Sequence, residues 1–210
     1  VQGGSKQYVG ALTASFSARI HPRSPVQSVR RRDGGVTRNI AGQPPLEFDE
    51  VILATHSDQS LRLLAEPTEQ EREILGAIRY QENETVLHTD ASLLPNKKRA
   101  WASWNYYLPS TQASAPTVTY NMNILQGLTS PEPFCVSLNR HEEIDPLHVV
   151  QSMTYHHPIY DLATLDAQQR RDEISGVQNT HYCGAYWGYG FHEDGARSGI
   201  EVAEAIEQKI

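Results

Sequence analysis

The sequence has little cysteine, no long hydrophobic run and no excess of basic residues. Two cysteines in 210 residues, Cys135 and Cys183, form neither a disulfide framework nor a zinc-type spacing. No segment approaches the roughly 18 apolar residues of a transmembrane helix. The formal net charge of −7 argues against a nucleic-acid partner. We therefore expect a cytoplasmic protein with no transmembrane segment and no nucleic-acid partner.

Several common catalytic and binding motifs are also absent. No G-x-S-x-G nucleophile turn occurs. The nine histidines lack the i, i+4 spacing of zinc proteases, and the adjacent pair His156 and His157 would point to opposite faces of a strand, so no metal site is predicted. No G-x-G-x-x-G turn is present to hold a pyrophosphate. The chain begins Val1-Gln2-Gly3, without an initiator methionine, and we expect it to be the C-terminal half of a longer protein.

The most informative stretch lies near the C-terminus. Thr180–Cys183 suits a buried strand, five glycines follow between Gly184 and Gly199, and apolar residues then recur at helical spacing towards Ile210. A strand, a glycine-rich turn and a helix let the backbone approach a ligand closely, with the first helical N–H groups pointing at it. We expect Glu193 and Asp194 to cap this helix. A tight turn before a packed helix, with no ligand, explains the spacing equally well.

The rest of the chain predicts a mixed α/β fold. Phe48–Thr55, FDEVILAT, is a largely apolar run with β-branched residues, typical of a buried parallel strand. Asp33-Gly34-Gly35 predicts a hairpin, Ser57 or Asp58 could cap a helix, and Thr68-x-x-Glu71 is a capping box. Strands with no helices between them predict an antiparallel sheet. Those strands are Glu84–Thr89, Ala100–Tyr107, Thr117–Asn123, Phe134–Leu138 and His148–Tyr155.

Three motifs in order carry a family resemblance. They are ATHSDQ at Ala54–Gln59, RAWASWNY at Arg99–Tyr106 and CGAYWGYGFHEDG at Cys183–Gly195. The sequence resembles the FAD-dependent amine oxidase superfamily, and within it the bacterial-type predicted NAD/FAD-binding, flavin-containing amine oxidase-like proteins. The resemblance implies a Rossmann-like FAD-binding domain, residues 1–79 and 175–210, that lacks its N-terminal βαβ unit. It also implies an inserted antiparallel-sheet substrate domain, residues 80–174.

The resemblance and the strand ends together suggest site residues. The cofactor-binding candidates are Val26, Ala54, Thr55, Gly184, Ala185, Gly190, His192 and Glu193. Val26 would meet the adenine through its backbone, and the N–H groups of His192 and Glu193 would meet the flavin pyrimidine edge. The substrate-cavity candidates are Trp104, Tyr106, Trp187, Tyr189 and Phe191. Alternation places Trp104 and Tyr106 on one strand face, where an aromatic sheet core is the other interpretation.

Two departures from the family pattern bear on function. Ala185 stands where the family often has a glutamate that contacts ribityl or ribose hydroxyls. Phe191, at an aromatic-cage position, would attract an ammonium group less strongly than tryptophan. The resemblance implies a non-covalent, FAD-dependent oxidoreductase that passes a hydride to flavin N5. Its substrate would be an amine, or a lipid or acyl chain. The missing half of the protein would be its partner. A non-catalytic remnant or interaction domain that does not bind cofactor by itself is the alternative.

Overall fold

A computed structural model describes residues 3–4, 6–108 and 117–209. The chain divides into two compact units. The sheet unit comprises the segment that ends at Ile20 together with Glu82–His157, and the mixed unit comprises His21–Gln81 and Pro158–Ile210. The functional division into residues 1–79 with 175–210 and residues 80–174 stays a prediction. In the described ranges, no helix is long and apolar enough to cross a membrane.

The described residues form helices and strands with the following bounds. The α-helices are α1 Lys6–Thr13, α2 Ser57–Leu63, α3 Glu69–Ala77, α4 Met122–Gln126, α5 Leu162–Gln169 and α6 His192–Glu207. The strands are β1 Val26–Arg32, β2 Gly35–Ile40, β3 Leu46–Phe48, β4 Val51–Leu53, β5 Tyr80–His88, β6 Trp104–Tyr107, β7 Thr117–Asn121, β8 Cys135–Leu138, β9 Val149–Pro158 and β10 Thr180–Tyr182. Short 3-10 helices lie at Ser17–Arg19, Ala91–Leu93, Lys98–Ala100, His141–Glu143, Pro146–His148, Arg171–Glu173 and Ala185–Trp187.

The mixed unit contains an antiparallel sheet of order β1-β2-β3 and a parallel pair, β10-β4. The predicted hairpin is confirmed, since β1 and β2 pair from Arg32 and Gly35 outward. The parallel strand predicted over Phe48–Thr55 is confirmed at Val51–Leu53, but its predicted extent is wrong. Phe48 ends β3 and pairs with Val36 of β2, whereas β4 pairs in parallel with β10. The polar residues Asp49 and Glu50 separate the two apolar pieces, and the chain changes sheet there.

A buried carboxylate joins three elements of the mixed unit. The capping box of α3 is confirmed: Thr68 Oγ1 accepts from the Glu71 N–H at 3.2 Å, and Glu71 accepts from the Thr68 N–H at 2.8 Å. Glu71 also forms an ion pair with Arg31 of β1 and accepts a 2.5 Å hydrogen bond from the Tyr182 hydroxyl of β10. Burial alone would raise the pKa of Glu71, but hydrogen bonds from Tyr182, Thr68 and Arg31 hold it below its usual value.

The predicted cap of α2 is wrong. His56, not Ser57 or Asp58, is the N-cap of α2; the Ser57 hydroxyl instead donates to the Ile78 carbonyl at 3.2 Å. The predicted C-terminal helix is confirmed as α6, on which Ser198 and Val202 are buried and Ile200 is 59% exposed. Ser198, on the buried side, contacts the glycine turn through Gly184.

The sheet unit is built on a five-stranded sheet of order β6-β7-β8-β5-β9. The predicted antiparallel pairing is confirmed for β5 with β8, β6 with β7, and β7 with β8. One face of this sheet is buried and polar. There His88 Nε2 lies 2.8 Å from Ser137 Oγ, which lies 2.7 Å from Thr119 Oγ1. Burial lowers the pKa of His88, so its imidazole is neutral at pH 7.

The buried carboxylate makes a stability prediction. We expect Glu71→Gln to lower the free energy of unfolding by about 3–5 kcal/mol, because the Arg31 guanidinium loses its charged partner in a buried position. Glu73→Gln is the matched control, since Glu73 lies on the same helix and binds Arg170 at an exposed position. Urea unfolding of the 210-residue chain measures both. Equal losses from the two variants would contradict the proposed role of Glu71.

Candidate functional site

The parallel strands of the mixed unit end side by side. Tyr182 pairs with Leu53, and the Cys183 N–H donates to the Leu53 carbonyl at 3.1 Å. The chain therefore leaves β4 through Ala54 and Thr55, and β10 through Gly184 and Ala185, at one edge. The carboxyl ends of parallel strands are where α/β proteins bind ligands. The structure thus brings four of the cofactor candidates together.

An added Cβ would meet neighbouring atoms at three glycines of the turn after β10: Gly184, Gly188 and Gly190. A Cβ on Gly184 would lie 2.5 Å from Tyr186 Cε1. Gly190 has a φ of +87°, and a Cβ there would lie 2.7 Å from the Tyr160 hydroxyl oxygen. A bulkier residue would clash at either position, and at Gly190 it would also adopt a strained backbone. The turn is therefore held close to its neighbours, with its backbone partly exposed.

Two side chains of α6 fix this turn. Asp194 Oδ2 accepts from the Tyr189 and Phe191 N–H groups, both at 3.0 Å. Ser198 Oγ accepts from the Gly184 N–H at 2.9 Å. The expected capping role is confirmed for Asp194. It is wrong for Glu193, which is exposed and lies 4.0 Å from Arg197.

The start of α6 is accessible. His192, Glu193 and Gly190 are exposed. The first N–H groups of a helix have no acceptor within the helix, and they carry the positive end of its dipole. The carboxylate of Asp194 lies at this helix start, where it accepts from the N–H groups of Tyr189 and of the N-cap residue Phe191. This end of α6 can accept a negatively charged or carbonyl-bearing group.

Val26 lines a cavity of about 460 Å³ in the mixed unit together with other cofactor candidates. The walls are mainly apolar, and they include Val26, Ala54 and Thr55. The remaining lining residues are Val29, Val36, Arg38, Phe48, Glu50, Val51, Ile52, Leu53 and Leu63. A flat apolar ligand fits such walls.

The aromatic substrate candidates belong to both units. Trp187 is partly buried in the mixed unit, and Tyr189 and Phe191 are exposed there. Trp104 and Tyr106 lie on one face of β6 in the sheet unit, where they are 60% and 61% exposed. The alternative of an aromatic sheet core is therefore wrong for these two residues.

The open face of the sheet unit also carries an uncharged groove. Cross-strand register places Trp104 beside Tyr120, Tyr120 beside Val136, and Val136 beside Leu87. A groove of about 430 Å³ lies on this side of the sheet. It is lined by Thr85, Leu87, Met122, Gln126, Leu128, Phe134, Val136, Met153 and Tyr155. None of these residues is charged, so the groove suits an apolar group rather than an isolated charge.

The cysteines and histidines form no second site in the part of the chain that the structure describes. No group of three or more possible metal ligands occurs there. Cys135 and Cys183 are free and buried. Burial, with a smaller contribution from Asp90, raises the pKa of Cys135 to about 11, so its thiol stays protonated.

Sequence reasoning missed two residues near the candidates. Ser198 was not singled out, although it ties the helix to Gly184. Arg38 was also missed, although it lines the cavity with Val26. Its position was available from alternation, because Val36 and Ile40 on the same strand are buried and Arg38 lies between them.

The contacts of Asp194 predict a local effect. We expect Asp194→Ala to speed amide hydrogen exchange at Tyr189 and Phe191 about tenfold or more, since both N–H groups lose a charged acceptor. Glu193→Ala should leave both rates unchanged, because Glu193 binds neither group. Exchange measured by nuclear magnetic resonance distinguishes the variants. Unchanged rates in Asp194→Ala would show that the turn does not depend on this cap.

The fold is similar to solved structures of several enzymes, although no family model and no curated protein matches the sequence. A fatty acid isomerase from P. acnes is 14% identical with a TM-score of 0.64, covering 96% of this chain and 52% of its own. Wild-type putrescine oxidase bound to putrescine is 13% identical, with a TM-score of 0.64 and coverages of 98% and 53%. Reduced UDP-galactopyranose mutase is 12% identical, with a TM-score of 0.70 and coverages of 100% and 52%. The chain thus shares their fold and spans about half their length.

Proposed function

We propose that this chain is the C-terminal half of an FAD-dependent oxidoreductase related to the amine oxidases. The observation that carries the proposal is the parallel pairing of β4 with β10, whose ends lead into the glycine turn and the start of α6. The three sequence motifs lie at these places or on β6 of the sheet. The similarity of the fold to an amine oxidase and to a fatty acid isomerase supports the same assignment.

The residues present fit a flavin dinucleotide. The apolar cavity beside Val26 suits the adenine, and the chain at Ala54, Thr55, Gly184 and Ala185 is exposed or half-buried, which leaves it open to a ligand. The Tyr160 hydroxyl lies so close to Gly190 that a side chain at position 190 would meet it. When bound, FAD would supply the redox chemistry by accepting a hydride at N5.

The chain's own contribution at the flavin would be electrostatic. The N–H groups of His192 and Glu193 open α6, where the helix dipole favours negative charge. The Asp194 carboxylate is occupied by the Tyr189 and Phe191 N–H groups, and Glu193 is exposed to solvent. Water and salt screen the charge of the exposed Glu193, which reduces its repulsion of negative charge on the ring.

The substrate would carry an apolar portion. The groove with Met122 and Met153 is lined by uncharged residues, and the exposed pair Trp104 and Tyr106 lies on the same sheet face. In the mixed unit, Tyr189 and Phe191 extend from the proposed flavin turn. These surfaces suit an acyl chain or another lipid, and equally the hydrocarbon part of an amine.

The rest of the protein would supply the pyrophosphate site that the sequence lacks.

The rival function is a non-catalytic remnant or interaction domain, which the missing G-x-G-x-x-G turn favours. The coding sequence upstream of Val1 discriminates between them. An in-frame strand followed by G-x-G-x-x-G supports the enzyme, and a start codon close to Val1 supports the remnant.

FAD titration tests the proposal directly. We expect the longer protein to purify with flavin, and the 210-residue chain alone to bind FAD at least roughly a hundredfold more weakly. The chain alone would lack charge-assisted hydrogen bonds to phosphate, each contributing about 1.5–3 kcal/mol. Flavin fluorescence and calorimetry measure both. A longer protein that purifies without flavin and binds none in calorimetry would reject the proposal.

Gly190 gives a second test. We expect Gly190→Val in the longer protein to abolish FAD retention while the sheet unit stays folded, because valine resists a φ of +87° and would meet Tyr160. Gly42→Val is the control, since Gly42 also has positive φ, +70°, but no atom lies within 4 Å of its added Cβ. Equal flavin occupancy in Gly190→Val and the wild type would overturn the proposed ring position.

A further inference from the structure

The Tyr160 hydroxyl lies against the glycine turn, on the loop between β9 and α5. A Cβ on Gly190 would lie 2.7 Å from its oxygen, so the hydroxyl occupies the place that a side chain at position 190 would take. Gly190 is exposed, and Tyr160 itself is 40% exposed. The hydroxyl therefore stands beside a part of the turn that a ligand can reach.

The backbone on both sides of Tyr160 is fixed. Ile159, which precedes it, donates its N–H to the Arg79 carbonyl at 2.8 Å and accepts from the Thr164 hydroxyl at 2.7 Å. Asp161, which follows it, caps α5 by accepting from the Thr164 N–H at 2.9 Å, and it binds the Arg79 guanidinium at 2.7 Å. The position of the Tyr160 backbone is therefore set by bonds that do not involve the turn.

The hydroxyl of Tyr160 is a donor without an acceptor from the protein. In the described part of the chain, no hydrogen bond involves it, whereas the Tyr80 hydroxyl accepts from the Ser57 N–H at 3.0 Å. Burial, with smaller contributions from Asp194 and Tyr80, raises the pKa of Tyr160, so its hydroxyl is protonated at pH 7. A protonated phenol can donate one hydrogen bond to a ligand.

The backbone of the turn offers no such donor at this place. The N–H groups of residues 189–191 all have acceptors: Asp194 binds the first and the last at 3.0 Å, and the Ala185 carbonyl binds that of Gly190 at 3.1 Å. A ligand that lies along residues 189–191 would therefore meet the Tyr160 hydroxyl as its donor, ahead of the start of α6.

We propose that the Tyr160 hydroxyl donates a hydrogen bond to the flavin ring of FAD bound at the glycine turn and thereby favours the reduced ring. This inference rests on the proposed function, because it takes the turn to be the flavin site. A hydrogen bond strengthens when its acceptor gains negative charge, so a donor at the ring stabilises the reduced state more than the oxidised state. Tyr160 would act together with the start of α6, whose dipole has the same preference.

The redox potential of the bound flavin tests the inference in the longer protein. We expect Tyr160→Phe, which removes only the hydroxyl, to disfavour the reduced flavin about tenfold, which lowers the midpoint potential of a two-electron couple by about 30 mV. Reduction against a reference dye measures this potential. A tyrosine that served only to pack against the turn would leave the potential unchanged, because phenylalanine keeps the ring.

Tyr80→Phe is the matched control. The Tyr80 hydroxyl is already bound by the Ser57 N–H, and its ring stacks on His56, a contact that phenylalanine keeps. We expect this variant to retain the wild-type potential. An equal fall in both variants would overturn the inference, since the loss of any tyrosine hydroxyl near the site would then have the same effect.

The outcomes separate this inference from the proposed function. Flavin content is measured by absorbance on the same samples. Retained flavin with an unchanged potential in Tyr160→Phe would overturn the hydrogen bond and leave the proposed function standing. A wild-type longer protein without flavin would reject the proposed function, and the inference with it. If Tyr160→Phe releases FAD, separate titrations with oxidised and reduced FAD give the same ratio, and an unchanged ratio of the two affinities would also overturn the inference.

Discussion

The mixed unit depends on the buried carboxylate of Glu71. It ties helix α3 to the hairpin through Arg31 and to the parallel pair through Tyr182, while it closes the start of its own helix through Thr68. These donors outweigh the cost of burial, so the carboxylate stays charged. The strand whose end forms the candidate site is thus fixed by Glu71, a residue that is not itself a site candidate.

Local patterns in the sequence predicted much of the fold. The hairpin needs a glycine turn and two alternating strands, and the capping box needs two residues three apart, so both are encoded by neighbours in sequence. The errors came where tertiary contacts decide. Phe48 and Val51 belong to different sheets, although a single strand was predicted over both. Glu71 was predicted as a cap, but its long-range partners were not predictable from spacing.

The residues of the candidate site were likewise predicted only in part. The family resemblance and the rule that ligands bind at the carboxyl ends of parallel strands identified four residues: Ala54, Thr55, Gly184 and Ala185. The parallel pairing brings them to one edge. Asp194 was predicted as a cap because acids favour first turns. Arg38 was missed because a charged residue on a strand is ordinarily assigned to solvent. Its role depends on what lies across the cavity, which no local pattern contains.

Strand β4 leads directly into the proposed cofactor site. Ala54 and Thr55 follow this strand, and they also line the cavity beside Val26 where an adenine would lie. A segment of the rest of the protein that fixes β4 would also fix the backbone that the cofactor meets, so part of the ordering cost of binding would already be met. Linkage then works in both directions, because a cofactor that prefers the completed sheet must stabilise it. Weak binding by the half chain would follow from this coupling as well as from a missing phosphate site.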